Sequence, residues 1–251
     1  MVYDQAYLAV HIFDIYSEYS PVSYRIKRGG LFYVRGDVSY FDGSVTYWVV
    51  NPPMTIKIDE QVLSSGGGGN PDGTFLVGCV APSDLVEGQT YTITAILPEG
   101  TYTIDASIRD TEFPKEDYVY EKSATADVVV LYDTSLDAPT VFISNRYDDG
   151  IGLCAQTTLR YVSTGQPVPN ASSIYFYYRR QGETTWTQIG NPKSTDSNGV
   201  ATSDEVVLRP ATYEFKASFT GNSISASSES NTTTYTLSKQ PTSISLEVIV
   251  S

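Results

Sequence analysis

The chain has 251 residues, with 16 Lys and Arg against 29 Asp and Glu, for a formal net charge of −13. That length suits one large or two ordinary domains that bury a core without disulfide or metal. The charge repels nucleic-acid phosphates and anionic lipid, so nucleic-acid binding is excluded. With 20 Tyr, 19 Gly and only 2 Met, alongside abundant Ser, Thr and Val, the composition is that of a β-rich protein.

In chain order, Met1-Val2-Tyr3-Asp4 opens with no basic region, since the first positive residue is Arg25, and no apolar run is long enough for a signal peptide or membrane span. The expectation is a mature or excised piece of a surface protein, or a virion component assembled without secretion, with no membrane insertion. Tyr7-Leu8-Ala9-Val10-His11-Ile12-Phe13 reads as a buried strand, either the first of its own domain or the acceptor of a neighbour's terminal strand. His11 is the only histidine; lying in an apolar strand with no nucleophile pattern beside it, it reads as structural and not catalytic. Arg35-Gly36-Asp37 spells an integrin-recognition tripeptide, but it falls between Tyr33 and Val38 in a strand-like stretch.

Residues 64–69 are predicted to form a flexible glycine-rich loop, and no Lys-Ser or Lys-Thr follows to make it a phosphate loop. Asn70-Pro71-Asp72-Gly73 is a turn signal, and Asp196-Ser197-Asn198-Gly199 is its counterpart later in the chain. Pro98-Glu99-Gly100-Thr101-Tyr102-Thr103-Ile104-Asp105-Ala106-Ser107-Ile108 then aligns with Pro210-Ala211-Thr212-Tyr213-Glu214-Phe215-Lys216-Ala217-Ser218-Phe219. Tyr102, Ile104, Ala106 and Ile108 share one face, as do Tyr213, Phe215, Ala217 and Phe219, and polar residues take the other. Period two with a single apolar face is a half-buried antiparallel strand. Closing strands follow at 124–131 and 231–237, so the chain carries a repeat.

Tyr132-Asp133-Thr134-Ser135-Leu136-Asp137-Ala138-Pro139 is short and polar. It predicts a first domain over 1–136, a second over 137–239 and an additional strand over 240–251. Cys79 and Cys154 fall in different predicted domains, where one inter-domain bridge is geometrically open and two unrelated thiols are the expectation. Asp133 and Asp137 on one side and Asp148 and Asp149 on the other gather acidic oxygen near the junction; they suit either a calcium ion or ordinary turns.

The second copy carries Gly165-Gln166-Pro167-Val168-Pro169-Asn170-Ala171, Tyr175-Phe176-Tyr177-Tyr178-Arg179, Thr184-Thr185-Trp186-Thr187-Gln188-Ile189-Gly190 and Pro210-Ala211-Thr212-Tyr213. As a series over residues 139–238 these resemble the immunoglobulin-like repeats of bacterial, archaeal and phage surface proteins. The resemblance implies an all-β chain of two tandem immunoglobulin-like β-sandwiches, with Tyr102 and Tyr213 as tyrosine corners. It also puts Ile104 and Phe215 where antibody-type domains have cysteine, so no disulfide is expected within a domain. The function it implies is a non-enzymatic spacer or structural subunit of an extracellular surface layer, filament or virion, without cofactor or metal.

At the C-terminus, Ile244, Leu246, Val248 and Val250 line one apolar face of a strand that resembles the opening of the second copy. Left in water, each such side chain forgoes roughly 1.5–3 kcal/mol of burial. Three covers stand open: a further repeat, donation to a neighbouring subunit by β-augmentation, or folding back as an extra edge strand. Asn170-Ala171-Ser172 and Asn231-Thr232-Thr233 are glycosylation sequons, relevant if the chain is exported. Tyr175, Tyr177, Tyr178, Trp48 and Trp186 are candidates for a glycan platform, against the commoner use of such residues in a core. The expected partners are therefore copies of itself or neighbouring immunoglobulin-like domains, with glycans as the alternative.

Overall fold

A computed structural model describes residues 7–107 and 113–238, all β with no helix beyond a single 3₁₀ residue. These residues fall into two compact units: one reaches Thr134 and includes Thr220–Ser227, and the other comprises Ser135–Phe219 and the residues from Ser228 onward.

The first unit contains β1 (Ala9–Ser17), β2 (Arg25–Ile26), β3 (Leu31–Phe41), β4 (Thr46–Val49), β5 (Met54–Ile58), β6 (Gln61–Gly67), β7 (Thr74–Val80), β8 (Thr90–Leu97), β9 (Gly100–Ala106), β10 (Lys115–Val119) and β11 (Lys122–Val130). β3 lies between β1 and β7 in one sheet, and the second sheet runs β2-β11-β8-β5-β6. The pairing is antiparallel except for β2, which runs parallel to β11. Alternation fills the space between the sheets: Phe32 and Val34 from β3, Phe75 from β7, Ile56 from β5, and Ile93, Ala95 and Leu97 from β8 are all buried in one cluster. In this order the strands correspond to A, B and E on one sheet and A′, G, F, C and C′ on the other, an immunoglobulin-like arrangement.

Three strands of this unit run past the sandwich. β10 and β11 pair with β9 and β8 in one unbroken antiparallel register across the bend, from Lys115 opposite Ile104 to Lys122 opposite Leu97. β4 flanks β9 on the other side and joins the far end of β3. The extension has its own small core of Val45, Tyr47 and Ala106, with Tyr40 and Phe113 packed against it. Tyr7, Tyr40 and Tyr47 stack in series there, at ring-centroid distances of 5.3 and 6.1 Å.

The glycine-rich segment is not a free loop. Gln61–Gly67 is strand β6, paired with β5 through two register shifts. Just beyond it the backbone passes so close to Pro52 that a Cβ on Gly69 would lie 2.4 Å from the Pro52 backbone. Glycine stands there for close approach and bulging rather than for flexibility. The segment Thr220–Ser227 is likewise built into this unit, with Tyr132 donating to Ile224 O and accepting from Ala226 N, and Ser227 N donating to Tyr19 O.

The second unit contains β12 (Thr134–Leu136), β13 (Thr140–Tyr147), β14 (Gly150–Tyr161), β15 (Ile174–Arg180), β16 (Thr187–Gln188), β17 (Val200–Thr202), β18 (Val206–Leu208), β19 (Thr212–Phe219), β20 (Ser228–Glu229) and β21 (Thr233–Thr236). One sheet sets β14 between β13 and the β17/β18 pair, with β12 also on β14; the other runs β16-β15-β19, closed by β20 and β21. These are strands A, B and E against C′, C, F and G, so this unit too is an immunoglobulin-like sandwich. Its core is led by Phe176, Phe215, Phe219, Leu153 and Leu159.

The tyrosine corners are formed. Tyr213 Oη donates to Arg209 O at 2.9 Å and Tyr102 Oη to Pro98 O at 2.7 Å, the same four-residue reach in both. Burial pushes both phenols above their ordinary value, so they remain donors at neutral pH.

The strand that answers β19 is β8 rather than β9. β8 enters directly from the E–F corner and reads Thr90-Tyr91-Thr92-Ile93-Thr94-Ala95, the same pattern 11 positions upstream of Tyr102. Tyr91 Oη accepts from Val86 N at 2.9 Å across that corner. The position equivalent to an antibody cysteine is accordingly Ile93, not Ile104. Sequence alone aligned the wrong copy because both halves of one bent strand carry the motif.

Candidate binding face on the second unit

In β15, Ile174 and Phe176 point inward and Tyr178 packs partly on the core. Period two then sends Tyr175, Tyr177 and Arg179 to the outer face. β19 does the same with Glu214, Lys216 and Ser218, and the register sets Tyr175 opposite Ser218, Tyr177 opposite Lys216 and Arg179 opposite Glu214.

Trp186 precedes β16, which pairs with Tyr177 and Tyr178, and so the indole reaches back over this face. Arg179 Cζ is 4.4 Å and Lys216 Nζ 4.9 Å from its ring, and the same ammonium is 5.8 Å from the Tyr177 ring. Both cations are also neutralised: Arg179 Nε meets Glu214 Oε2 at 2.6 Å and Lys216 Nζ meets Glu229 Oε2 at 2.9 Å. At half-exposed sites each cation–π contact is worth roughly 0.5–1 kcal/mol and each ion pair about 0–1 kcal/mol. The face is therefore a charge-balanced aromatic surface, able to stack on a sugar ring or a partner's apolar surface.

Of the five aromatics singled out by sequence, the structure brings Tyr175, Tyr177 and Trp186 to this face and withdraws two. Tyr178 belongs to the core. Trp48 lies over the turn before β7, its Nε1 donating to Pro71 O at 2.9 Å, and a Cβ on Gly73 would come within 2.5 Å of Trp48 Cβ. Arg179, Lys216 and Glu214 were missed, because only the register of β15 against β19 makes them neighbours.

The other expected sites fall as follows. His11 is half exposed on the outer side of β1, with Nδ1 2.7 Å from Asp37 Oδ1. Arg35-Gly36-Asp37 is the middle of β3, and a Cβ on Gly36 would sit 1.9 Å from His11 O and 2.6 Å from Phe75 Cζ. That glycine is required by packing between β1 and β7, and the tripeptide is not at a loop tip.

Cys79 is buried, its thiol pushed up to about 11 by desolvation, and Cys154 is half exposed; both are free. Asp133 is held by Lys27 and Arg28, Asp137 by Arg160, and Asp148-Asp149 forms the turn between β13 and β14. Among the described residues no three His, Cys, Asp or Glu side chains gather for a metal ion. Asn170, at φ +54°, and Asn231 are both exposed. Ile244, Leu246, Val248 and Val250 lie outside the described residues.

No protein-family model and no curated protein matches the chain. Among solved structures it is similar to a four-repeat stretch from the extending region of a large adhesion protein, at 14% identity and TM-score 0.30 over 92% of this chain. The chain spans about half, 48%, of that structure's length. It is also similar to the D0-D1 domain of intimin, at 11% identity and TM-score 0.29, covering 90% of this chain and 99% of that one. The human OSCAR ligand-binding domain is similar at 11% identity and TM-score 0.28, covering 91% and 97%. The immunoglobulin-like fold rests on the chain's own strand order and not on these likenesses.

Proposed function

We propose that the chain is a non-enzymatic structural module, a spacer or repeating subunit of an extracellular surface layer, filament or virion. The observation that supports it is the doubling of the immunoglobulin-like sandwich in one chain, each copy closed around its own apolar core. His11, the only histidine, is bound to Asp37. Assembly runs through the strand at 242–251, whose Ile244, Leu246, Val248 and Val250 are covered by a neighbouring copy or a neighbouring immunoglobulin-like domain. Deleting residues 242–251 is expected to abolish self-association in sedimentation velocity while leaving both melting transitions in place. An unchanged size distribution sinks strand donation.

A second function is favoured by the Trp186 face: adhesion to glycans through aromatic side chains. Tyr175, Tyr177 and Trp186 converge on one outer surface of β15 and β19, the geometry on which sugar rings stack. On a glycan array, Trp186→Ala is expected to lose binding without loss of folding; retention of binding removes this face from the function. If the chain is exported from a glycosylating cell, Asn170 and Asn231 acquire glycans, which intact-mass measurement reads directly.

A further inference from the structure

The first unit has a cleft of about 360 Å³ on its outer surface, lined by Tyr16, Arg35, Asn70, Asp72, Thr74, Phe75 and Leu76. Its floor is the outer face of β1, β3 and β7, where Arg35 sits between Asp14 and Leu76 in register. Tyr16 forms an aromatic wall, stacked on Tyr33 at 5.2 Å and 21°, and Leu76 is exposed opposite. Tyr33 is in turn seated against Gly78, where even a Cβ would be 3.3 Å from its ring, so the pair is backed by the sheet itself.

The polar wall is the turn before β7, held by its own hydrogen bonds. Asn70 Nδ2 donates to Thr74 Oγ1 at 3.0 Å, while Asp72 Oδ1 accepts from Thr74 N and Thr74 Oγ1 at 3.1 and 2.6 Å. That leaves Asn70 Oδ1 without a hydrogen bond among the described residues, and the Asp72 carboxylate accepts besides only from its own backbone N–H. The Arg35 guanidinium likewise makes no hydrogen bond or ion pair among the described residues, although it is the only cation lining the cleft. Fixed acceptors, a free fork of donors and an aromatic wall therefore face one small space, whose volume falls in the roughly 300–1,000 Å³ range of small-molecule sites.

We propose that this cleft binds a neutral hexose unit of a glycan. A pyranose has the required pattern: hydroxyls that both donate and accept, matched by Asp72, Asn70 and Arg35, and a C–H face that lies against an aromatic ring. Charge decides for a neutral sugar over an acidic one. Arg35 is bordered by Asp14, Asp37 and Asp72, in a chain of net charge −13, so a carboxylate would gain one cation against three local anions. The site shares with the Trp186 face only its ligand class and does not depend on that face.

The test uses the whole chain, titrated separately with glucose, galactose, mannose and glucuronate and followed by amide NMR. At least one neutral hexose is expected to shift the amide signals of Arg35, Thr74 and Leu76 at millimolar concentration. Arg35→Ala and Tyr16→Ala should each weaken that binding about tenfold, the size of one lost polar or stacking contact, with melting temperature held. Trp186→Ala should leave it unchanged. The proposal is overturned if no neutral hexose moves these signals, if the Arg35 and Tyr16 variants bind as the unaltered chain does, or if glucuronate binds more tightly than every hexose. Loss of hexose binding in Trp186→Ala alone would refute this cleft and uphold the other face.

Discussion

The two sandwiches share one strand order and part company at strand F. In the second unit that strand is β19: it leaves the E–F corner, buries Tyr213, Phe215, Ala217 and Phe219 in succession, and ends. In the first unit β8 does the same with Ile93, Ala95 and Leu97, then bends at Pro98-Glu99-Gly100 and continues as β9 with a second tyrosine corner. Its neighbours extend in step, β11 into β10 and β5 into β4, and the surplus length closes on a separate aromatic cluster. A corner motif therefore marks where a strand turns inward, and a strand long enough to bend can carry it twice. What makes β8 the counterpart of β19 is the company it keeps, between β5 and β11.

The largest test of that equivalence is core truncation. Phe215→Ala is expected to cost about 3–5 kcal/mol and Ile93→Ala about 2–5 kcal/mol, because each opens a cavity in a fully buried site. Calorimetry should show the two variants lowering different transitions; a shared response would break the picture of two separate cores. Next in size is Gly36→Ala, at roughly 1–3 kcal/mol by denaturant melting, since the new methyl collides with His11 O and the Phe75 ring. In strand B of the second unit a Cβ on Gly152 would meet the movable end of the Glu205 side chain rather than a backbone carbonyl and a buried ring, so Gly152→Ala should cost less.

Smaller effects compare the corners. Tyr213→Phe and Tyr102→Phe each remove one hydrogen bond to a backbone carbonyl and should cost about 0.5–1.5 kcal/mol. Tyr91→Phe should cost less, because the exposed Val86 N–H it abandons can turn to water. A Tyr102→Phe cost well above that of Tyr213→Phe would mean that the bend, not the E–F corner, organises the first unit.

The smallest effect is in acid. Hydrogen bonds from Ser144 and Tyr147 hold the Glu205 carboxyl below its ordinary 4.5, and the backbone N–H groups of Val45 and Ser44 hold Asp42 below 3.8. A carboxyl with a lowered folded value stabilises the fold above its unfolded value, and that contribution fades as pH drops through the lowered one. Melting temperature should therefore fall below about pH 4.5, with Glu205→Gln flattening the response of the second unit and Asp42→Asn that of the first. Both carboxylates are exposed, so a slope unaltered by either variant would assign acid sensitivity to other groups.

Much of the fold was readable in the sequence where period two was strict. Thr212–Phe219 alternates without a break, so β19, its buried face and its corner tyrosine followed from residues alone. The glycine-rich stretch of 64–69 misled, because glycine signals flexibility and close approach alike, and only the nearness of Pro52 and β7 distinguishes them. The candidate sites were less readable. Tyr175, Tyr177 and Trp186 could be named as aromatics, yet Arg179 and Lys216 join them only through the β15–β19 register and the reach of the loop before β16. Tyr16, Arg35 and Asp72 are far apart in the chain and meet because β3 lies between β1 and β7.

By itself the sequence determined the all-β class, the immunoglobulin-like sandwich of the second unit and the tyrosine corners, because alternation and turn chemistry are local and each strand declares its buried face within a few residues. Tertiary structure decided which tyrosine strand is the true counterpart, why Gly36 must be glycine, and which side chains share an outer face. Those are matters of pairing between strands tens of residues apart, where a single step of register exchanges the buried set for the exposed one.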